Sequence, residues 1–326
     1  MLLFALNASR EFGASIATHL GLDLAAHEER VFEDGEHKAR PLVDVRGADV
    51  YVVQSLHGGP TEPSNEKFVR LLFFLATLRD HGAARITAVV PYLAYARKDR
   101  RTKPGDPINS RYVAQLFEAM GTDVLITLET HNVAAFDNAF RLRAIHLDSH
   151  PLFLAHAKRL ASEAPICVVS PDPGGVKRVQ LWREALEQQL GRAVGQAFID
   201  KRRSGGIVSG ELAVVGQVAG MNVLVFDDLI ASGRTMTRAA GALAAAGARS
   251  VHAFAAHGLF VEDAAMAVAD PNVTRYVVTN SVPPFRLPAG RSRQRTARWH
   301  RPLRHARPPK PPASETAAPS SSRHNA

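Results

Sequence analysis

Eight short apolar runs punctuate this chain, and their spacing limits the folds open to it: LLFALN (2–7), DVYVVQS (49–55), ITAVVPY (86–92), VLITLET (124–130), ICVVS (166–170), NVLVFDD (222–228), VHAFAAH (251–257) and RYVVTN (275–280). Several are β-branched and do not alternate with polar residues, as expected of strands buried on both faces. Helical periodicity fills the intervals. In INSRYVAQLFEAMG, Val113, Leu116, Phe117 and Met120 fall at i, i+3, i+4 and i+7, with Asn109 or Ser110 placed to cap the start and Gly121 the end. Parallel strands need crossovers, and a helix is the usual one. The expected fold is α/β. Two doubly wound parallel-sheet domains are expected, because 326 residues exceed what one core normally supports.

ITAVVPYLAYARKDR and ICVVSPDPGGVKR both run strand, proline, then a loop ending in basic residues, a weak internal repeat with its boundary near residues 146–150. The expected division is an N-terminal α/β domain over 1–147, a second over 148–289, and a tail over 290–326. In open parallel sheets ligands collect beyond the carboxyl ends of the strands, so the loops there are the place to look for chemistry.

The net charge of +9 belongs almost entirely to the tail. After Gly290 there are nine Lys/Arg against Glu315 alone, which puts +8 on the tail and leaves +1 for the rest. The body is therefore not a basic protein, and no specific nucleic-acid partner is expected. The tail is rich in Arg, Pro and Ser without periodic apolar positions, a composition expected to be disordered and to supply no core-facing strand or helix. The chain has one cysteine, Cys167, and no apolar run near the roughly 20 residues that cross a bilayer. Its opening residues read as a strand, not a leader. A cytoplasmic location with no membrane partner is expected.

The most informative segment is VLVFDDLIASGRT (223–235), followed by TMTRAAGALAAAG with Met236, Ala240 and Leu243 on one side. A strand, a tight loop of small residues and a helix start together offer converging backbone N–H groups and the positive end of a helix dipole, which suits a phosphate. Asp227 and Asp228 stand one loop length away, placed to accept hydrogen bonds from sugar hydroxyls. The same string also describes a turn in which an aspartate caps the helix.

This loop resembles the phosphoribosyl-pyrophosphate loop of type I phosphoribosyltransferases and of ribose-phosphate pyrophosphokinases, with Arg234 where the family commonly has a small residue. FEDGEHKARPLVDVRGADVYVVQS (32–55), VVPYLAYARKDRR (89–101), VVSPDPGGVKR (168–178), FIDKRRSG (198–205), HGLF (257–260) and VVTNSVP (277–283) narrow the resemblance to the ribose-phosphate pyrophosphokinases over roughly residues 1–285. The resemblance implies that MgATP donates its β,γ-diphosphoryl group to the C1 hydroxyl of ribose 5-phosphate, releasing AMP. It implies a phosphoribosyltransferase-like second domain, Lys201 and Arg203 as the catalytic cations on a flap, and Mg2+ near His131 and Asp172. It places ATP against Phe32, Asp34, Glu36, Arg97, Lys98 and Asp99, with the 32–36 loop completing a neighbour's site in a homo-oligomer. Lys98 replaces the family's common glutamine, and His131 sits in LETHN in place of the usual aspartate-leucine-histidine. Ribose 5-phosphate is assigned to Asp227, Asp228, the Ala231, Ser232, Gly233, Arg234, Thr235 cradle, and Gly174 and Gly175. Two alternatives remain: a non-catalytic regulatory homologue, and a nucleobase phosphoribosyltransferase.

Overall fold

The structure, a computed structural model, describes residues 1–204, 207–262 and 264–287, with 201–204, 207–211 and 294–297 described in backbone only. In chain order the first half runs β1 (Leu2–Ala5), α1 (Arg10–Leu20), β2 (His27–Val31), β3 (His37–Pro41), β4 (Asp49–Val53), α2 (Ser64–Asp80), β5 (Arg85–Val90), α3 (Asn109–Ala119), β6 (Val124–Leu128), α4 (Val133–Ala139) and β7 (Arg143–Leu147). The second half runs α5 (Leu154–Glu163), β8 (Ile166–Ser170), α6 (Val176–Leu190), β9 (Gly195–Ser204), β10 (Ile207–Val215), β11 (Asn222–Ile230), α7 (Arg234–Ala245), β12 (Ser250–Gly258), α8 (Ala264–Ala269), β13 (Arg275–Thr279) and β14 (Gln294–Ala297).

All eight apolar runs are strands. β1, β4, β5, β6 and β7 form one parallel sheet in that order. Successive residues point to opposite faces, so Phe4, Val52 and Val90 pack on one side with Phe74 of α2 and Phe117 of α3. Leu3, Ala5 and Val53 pack on the other with Ile16 and Ala17 of α1. In α3, Val113 and Phe117 are buried as expected, but Leu116 is exposed, and the helix begins at Asn109 with no side-chain cap. The buried stripe is Val113, Ala114 and Phe117, rotated from the sequence reading.

The second sheet has the order β10-β9-β8-β11-β12-β13-β14. From β8 the chain passes by α6 to β9 on one side, and from β11 by α7 to β12 on the other. The direction of winding therefore reverses between β8 and β11. Crevices at such reversals are where open α/β sheets bind ligands. β14 pairs in parallel with β13, so the segment after residue 290 does contribute a strand, correcting the expectation that it would not. The other tail residues lie outside the described ones. Among the described residues, no helix is long and apolar enough to cross a membrane.

The two sheets meet through hydrogen bonds: Ser55 Oγ donates to the Ser281 carbonyl at 2.7 Å, and Arg286 donates to the Gly58 carbonyl at 2.7 Å. His57, at this junction, is pushed down from 6.5 to about 4 by burial and by the charge of Lys67. His252, on β12, is likewise pushed to about 4 by burial and the charge of Arg275. Folding thus favours both rings neutral, and as pH falls below 6.5 the unfolded chain takes up protons first. Stability is full above that pH and drains away toward pH 4. Each ring is expected to cost about 2 kcal/mol between pH 7 and 5, at roughly 1.4 kcal/mol per pKa unit. Urea unfolding at the two pH values checks this, and His252→Asn should flatten the profile by its share; an unchanged midpoint would refute it.

Candidate active site

The carboxyl end of β11 carries Asp227 and Asp228, then a turn into α7. Gly233 has φ 81°, and a Cβ there would lie 2.5 Å from the Ala267 Cβ, so both the backbone and the packing of α8 demand glycine. The helix that follows has no side-chain cap, which leaves its first amides directed at the turn. Met236, Ala240 and Leu243 are buried, fixing α7 against the sheet. Arg234 is exposed, with its guanidinium 3.4 Å from Glu262.

One strand away, β8 ends at Ser170 and leads to Asp172, whose Oδ1 accepts from the amides of Gly174 and Gly175 at 2.8 and 3.1 Å. A Cβ on Gly175 would fall 2.6 Å from Ser170 Oγ. The turn passes into α6, whose first turn presents Arg178.

Arg178 is the hub of the site, and sequence reading overlooked it. Its Nε donates to Glu129 Oε1 at 3.0 Å, and one terminal nitrogen donates to Asp227 Oδ1 at 3.3 Å while lying 3.5 Å from Asp228 Oδ1. The other terminal nitrogen donates to the His131 carbonyl at 3.0 Å. Glu129, also overlooked, follows β6 with φ 45°, a backbone that costs a non-glycine residue about 1–2 kcal/mol. No sequence signal marks such a strained position. His131 Nδ1 stands 2.9 Å from Asp228 Oδ2.

These contacts separate the two aspartates electrostatically. Burial and the charge of Asp228 raise Asp227 well above the usual carboxylate value. Burial works the same way on Asp228, but the hydrogen bond with His131 and the charge of Arg178 outweigh it and hold that carboxyl low. Asp228 in turn raises His131 by hydrogen bonding and charge, against burial. Asp228 is thus the anionic acceptor, and Asp227 is the member of the pair that holds its proton longer.

Arg97 joins His131, Asp228, Tyr92 and His257 in lining one recess. Asp99 Oδ2 accepts from Asn132 at 2.7 Å beside it. Lys98 is turned to Asp106, 2.5 Å away, and the two close the 98–106 loop. Phe32, Asp34 and Glu36 form the tip of the β2–β3 hairpin, where Glu36 N donates to Asp34 Oδ1 at 3.0 Å and Arg30 stacks 5.0 Å over the Phe32 ring. None of the three lines the recess. The partner of His131 is Asp228, whereas Asp172 caps its own turn, so the two metal candidates are not brought together by a shared bond. Among the described residues, no cluster of three or more His, Cys, Asp or Glu could hold a metal ion.

The side chains of Lys201 and Arg203 lie outside the described residues, but their backbone register is informative. Ser170 pairs with Phe198, and Val169 pairs with both Ala197 and Val225. β9 then runs on for six residues past the end of β8, with β10 returning antiparallel. Lys201 lies about 10 Å beyond Ser170 at 3.3 Å per residue, level with Leu229 on β11 and across a gap of two strand spacings, about 9.5 Å. The hairpin therefore overhangs the edge from which Asp172 and Asp227 emerge.

A reversal-point crevice with paired carboxylates and a glycine turn at a helix start gives this mainly parallel α/β fold a ligand site at the carboxyl ends of its strands. Residues 1–121 match the family model for the N-terminal domain of ribose phosphate pyrophosphokinase, and residues 207–289 match the phosphoribosyl synthetase-associated domain. A ribose-phosphate pyrophosphokinase of Brucella melitensis is 35% identical over 284 residues, covering 87% of this chain and 88% of its own. Its counterpart in Bacillus caldolyticus is 35% identical over 280 residues, covering 86% and 85%. The crystal structure of phosphoribosylpyrophosphate synthetase from Mycobacterium smegmatis superposes with a TM-score of 0.83 at 29% identity, covering 94% of this chain and 96% of that one. This chain belongs to the ribose-phosphate pyrophosphokinase family.

Proposed function

We propose that the protein transfers the β,γ-diphosphoryl group of MgATP to the C1 hydroxyl of ribose 5-phosphate, giving 5-phosphoribosyl 1-diphosphate and AMP. The observation that carries this reading is the pairing, on one turn, of the Asp227–Asp228 carboxylates with the uncapped start of α7. The 5-phosphate binds the amides of Ala231–Thr235 with the hydroxyls of Ser232 and Thr235, while Asp227 and Asp228 accept from the ribose hydroxyls. The glycine turn at 174–175 lets main chain approach the sugar. Arg97 and Asp99 face the ATP phosphates, with Lys98 adding charge once it leaves Asp106. The hairpin tip, with Phe32 half-buried and Asp34 and Glu36 exposed, serves adenine in a neighbouring subunit of a homo-oligomer. Residues 1–147 supply the nucleotide loops and 148–289 the sugar site.

The C1 oxygen attacks the β-phosphorus, releasing its proton, and the bond to the α,β-bridging oxygen breaks as AMP leaves. Such transfers ask mainly for positioning and for cations on the transferring oxygens. Lys201 and Arg203 supply that charge as the β9–β10 hairpin closes over the gap and excludes water. Mg2+ takes one or two carboxylates with phosphates and waters, so a site without a protein cage fits an ion carried in by ATP. Asp172 and His131 are the groups that would face it, and the ion would supply positive charge to the phosphates. A cytoplasmic setting for the reaction is part of the same proposal. Incubation with MgATP and ribose 5-phosphate, followed by 31P NMR, should show AMP and a C1 diphosphate in equal amounts. AMP formation independent of ribose 5-phosphate, or none at all, would overturn the assignment.

A further inference from the structure

We propose that Arg178 is a positioning residue that sets the affinity for ribose 5-phosphate, anchored through Glu129 to the buried His257; the inference rests on the functional reading above. The guanidinium offers five N–H donors in a rigid fork, and here each nitrogen is used. On one side it meets Glu129 Oε1 at 3.0 Å and the carbonyls of His131 and Thr130 at 3.0 and 3.4 Å, all on the loop after β6 of the first sheet. On the other it meets Asp227 Oδ1 at 3.3 Å and lies 3.5 Å from Asp228 Oδ1, at the end of β11 in the second. Two adjacent carboxylates repel, and a planar cation between them fixes their separation.

The anchor is itself held at every polar atom. Glu129 Oε2 accepts from the amide and hydroxyl of Ser149 at 2.9 and 2.8 Å. The Glu129 amide donates to the Leu147 carbonyl at 2.8 Å. His257 Nε2 lies 2.9 Å from the Leu128 carbonyl and 3.2 Å from that of Glu129, so it carries the proton, and Nδ1 accepts from Ser281 Oγ at 2.8 Å. The chain Ser281–His257–Glu129–Arg178 thus runs from the second sheet, through the strained corner of the first, and back to the sugar carboxylates. If this were only glue between sheets, its loss would weaken both substrates and stability together. A positioning role singles out the sugar.

Steady-state kinetics of Arg178→Lys, which keeps charge and bulk but loses the fork, tests this. The KM for ribose 5-phosphate should rise about 10- to 100-fold, the worth of a hydrogen bond to a charged group, with the KM for ATP within about threefold and the thermal midpoint retained. Arg178→Ala should recover sugar affinity when guanidinium is added at tens of millimolar, and not with methylammonium. An active parent whose Arg178→Lys variant keeps its KM, or loses affinity for both substrates equally, overturns the inference alone. A parent inactive on both substrates removes the functional reading, and this one with it.

Discussion

Lys201→Ala is expected to lower kcat by roughly 100-fold or more, the scale on which one preorganised charge donor matters. The thermal midpoint should hardly change. The reasoning joins chemistry to register. In the proposed transfer charge builds on oxygens beyond the Ala231–Thr235 turn, and β9 runs past the end of β8 to bring its KRR segment level with the end of β11. Arg203→Ala should lose a similar factor. The double variant should lose less than the product of the two, since cations that neutralise one group act as a unit. Rates equal to the parent's would remove Lys201 from the mechanism, whereas a fall in kcat matched by a large fall in the midpoint would make it structural.

A second large effect is expected far from any substrate. Trp182→Ala should cost about 3–5 kcal/mol, the usual range for emptying a buried aromatic site. Trp182 sits on α6 with its ring 4.9 Å from Phe226, 5.2 Å from Phe254 and 6.2 Å from Phe153, at 1% exposure. Phe226 immediately precedes Asp227, so the cavity opens beneath the Asp227–Asp228 pair. Urea titration should show the loss at unchanged slope, and sugar affinity should fall with it. Trp182→Phe offers the contrast. The indole Nε1 is buried with no hydrogen-bond partner among the described residues, so removing it discards a desolvated donor and offsets part of the lost packing. A phenylalanine variant as unstable as the alanine one would show that shape, not apolar burial, governs this cluster.

The strands most readily recognised from sequence were those buried on both faces. NVLVFDD and ICVVS declare themselves because their apolar residues meet a core on alternate faces, Val223 and Val225 on one and Leu224 and Phe226 on the other; the reversal between them shows only in the strand order. β2, HEERV, and β3, HKARP, pair as a hairpin with mostly polar residues and carry no apolar signature, so nothing in composition announced them. The turn from β11 into α7 was legible because Gly233 and the following helix face are chemical constraints written into residue type. Glu129 and Arg178 were not, since their importance lies in a left-handed backbone and in contacts 49 residues apart. Leu116 was misplaced for a related reason: periodicity gives the width of an apolar stripe but leaves its rotation to the neighbouring elements.

β14 has a bearing on how the molecule behaves in company. It is four residues long, QRTA, and it lies outermost on the sheet beside β13, at the opposite margin from the β9–β10 hairpin. A short border strand shields the amides and carbonyls of Tyr276–Thr279 from strands of other molecules. Cutting the chain before Gln294 would unmask that row, and the first symptom would be sticky, strand-paired aggregates rather than a denatured monomer.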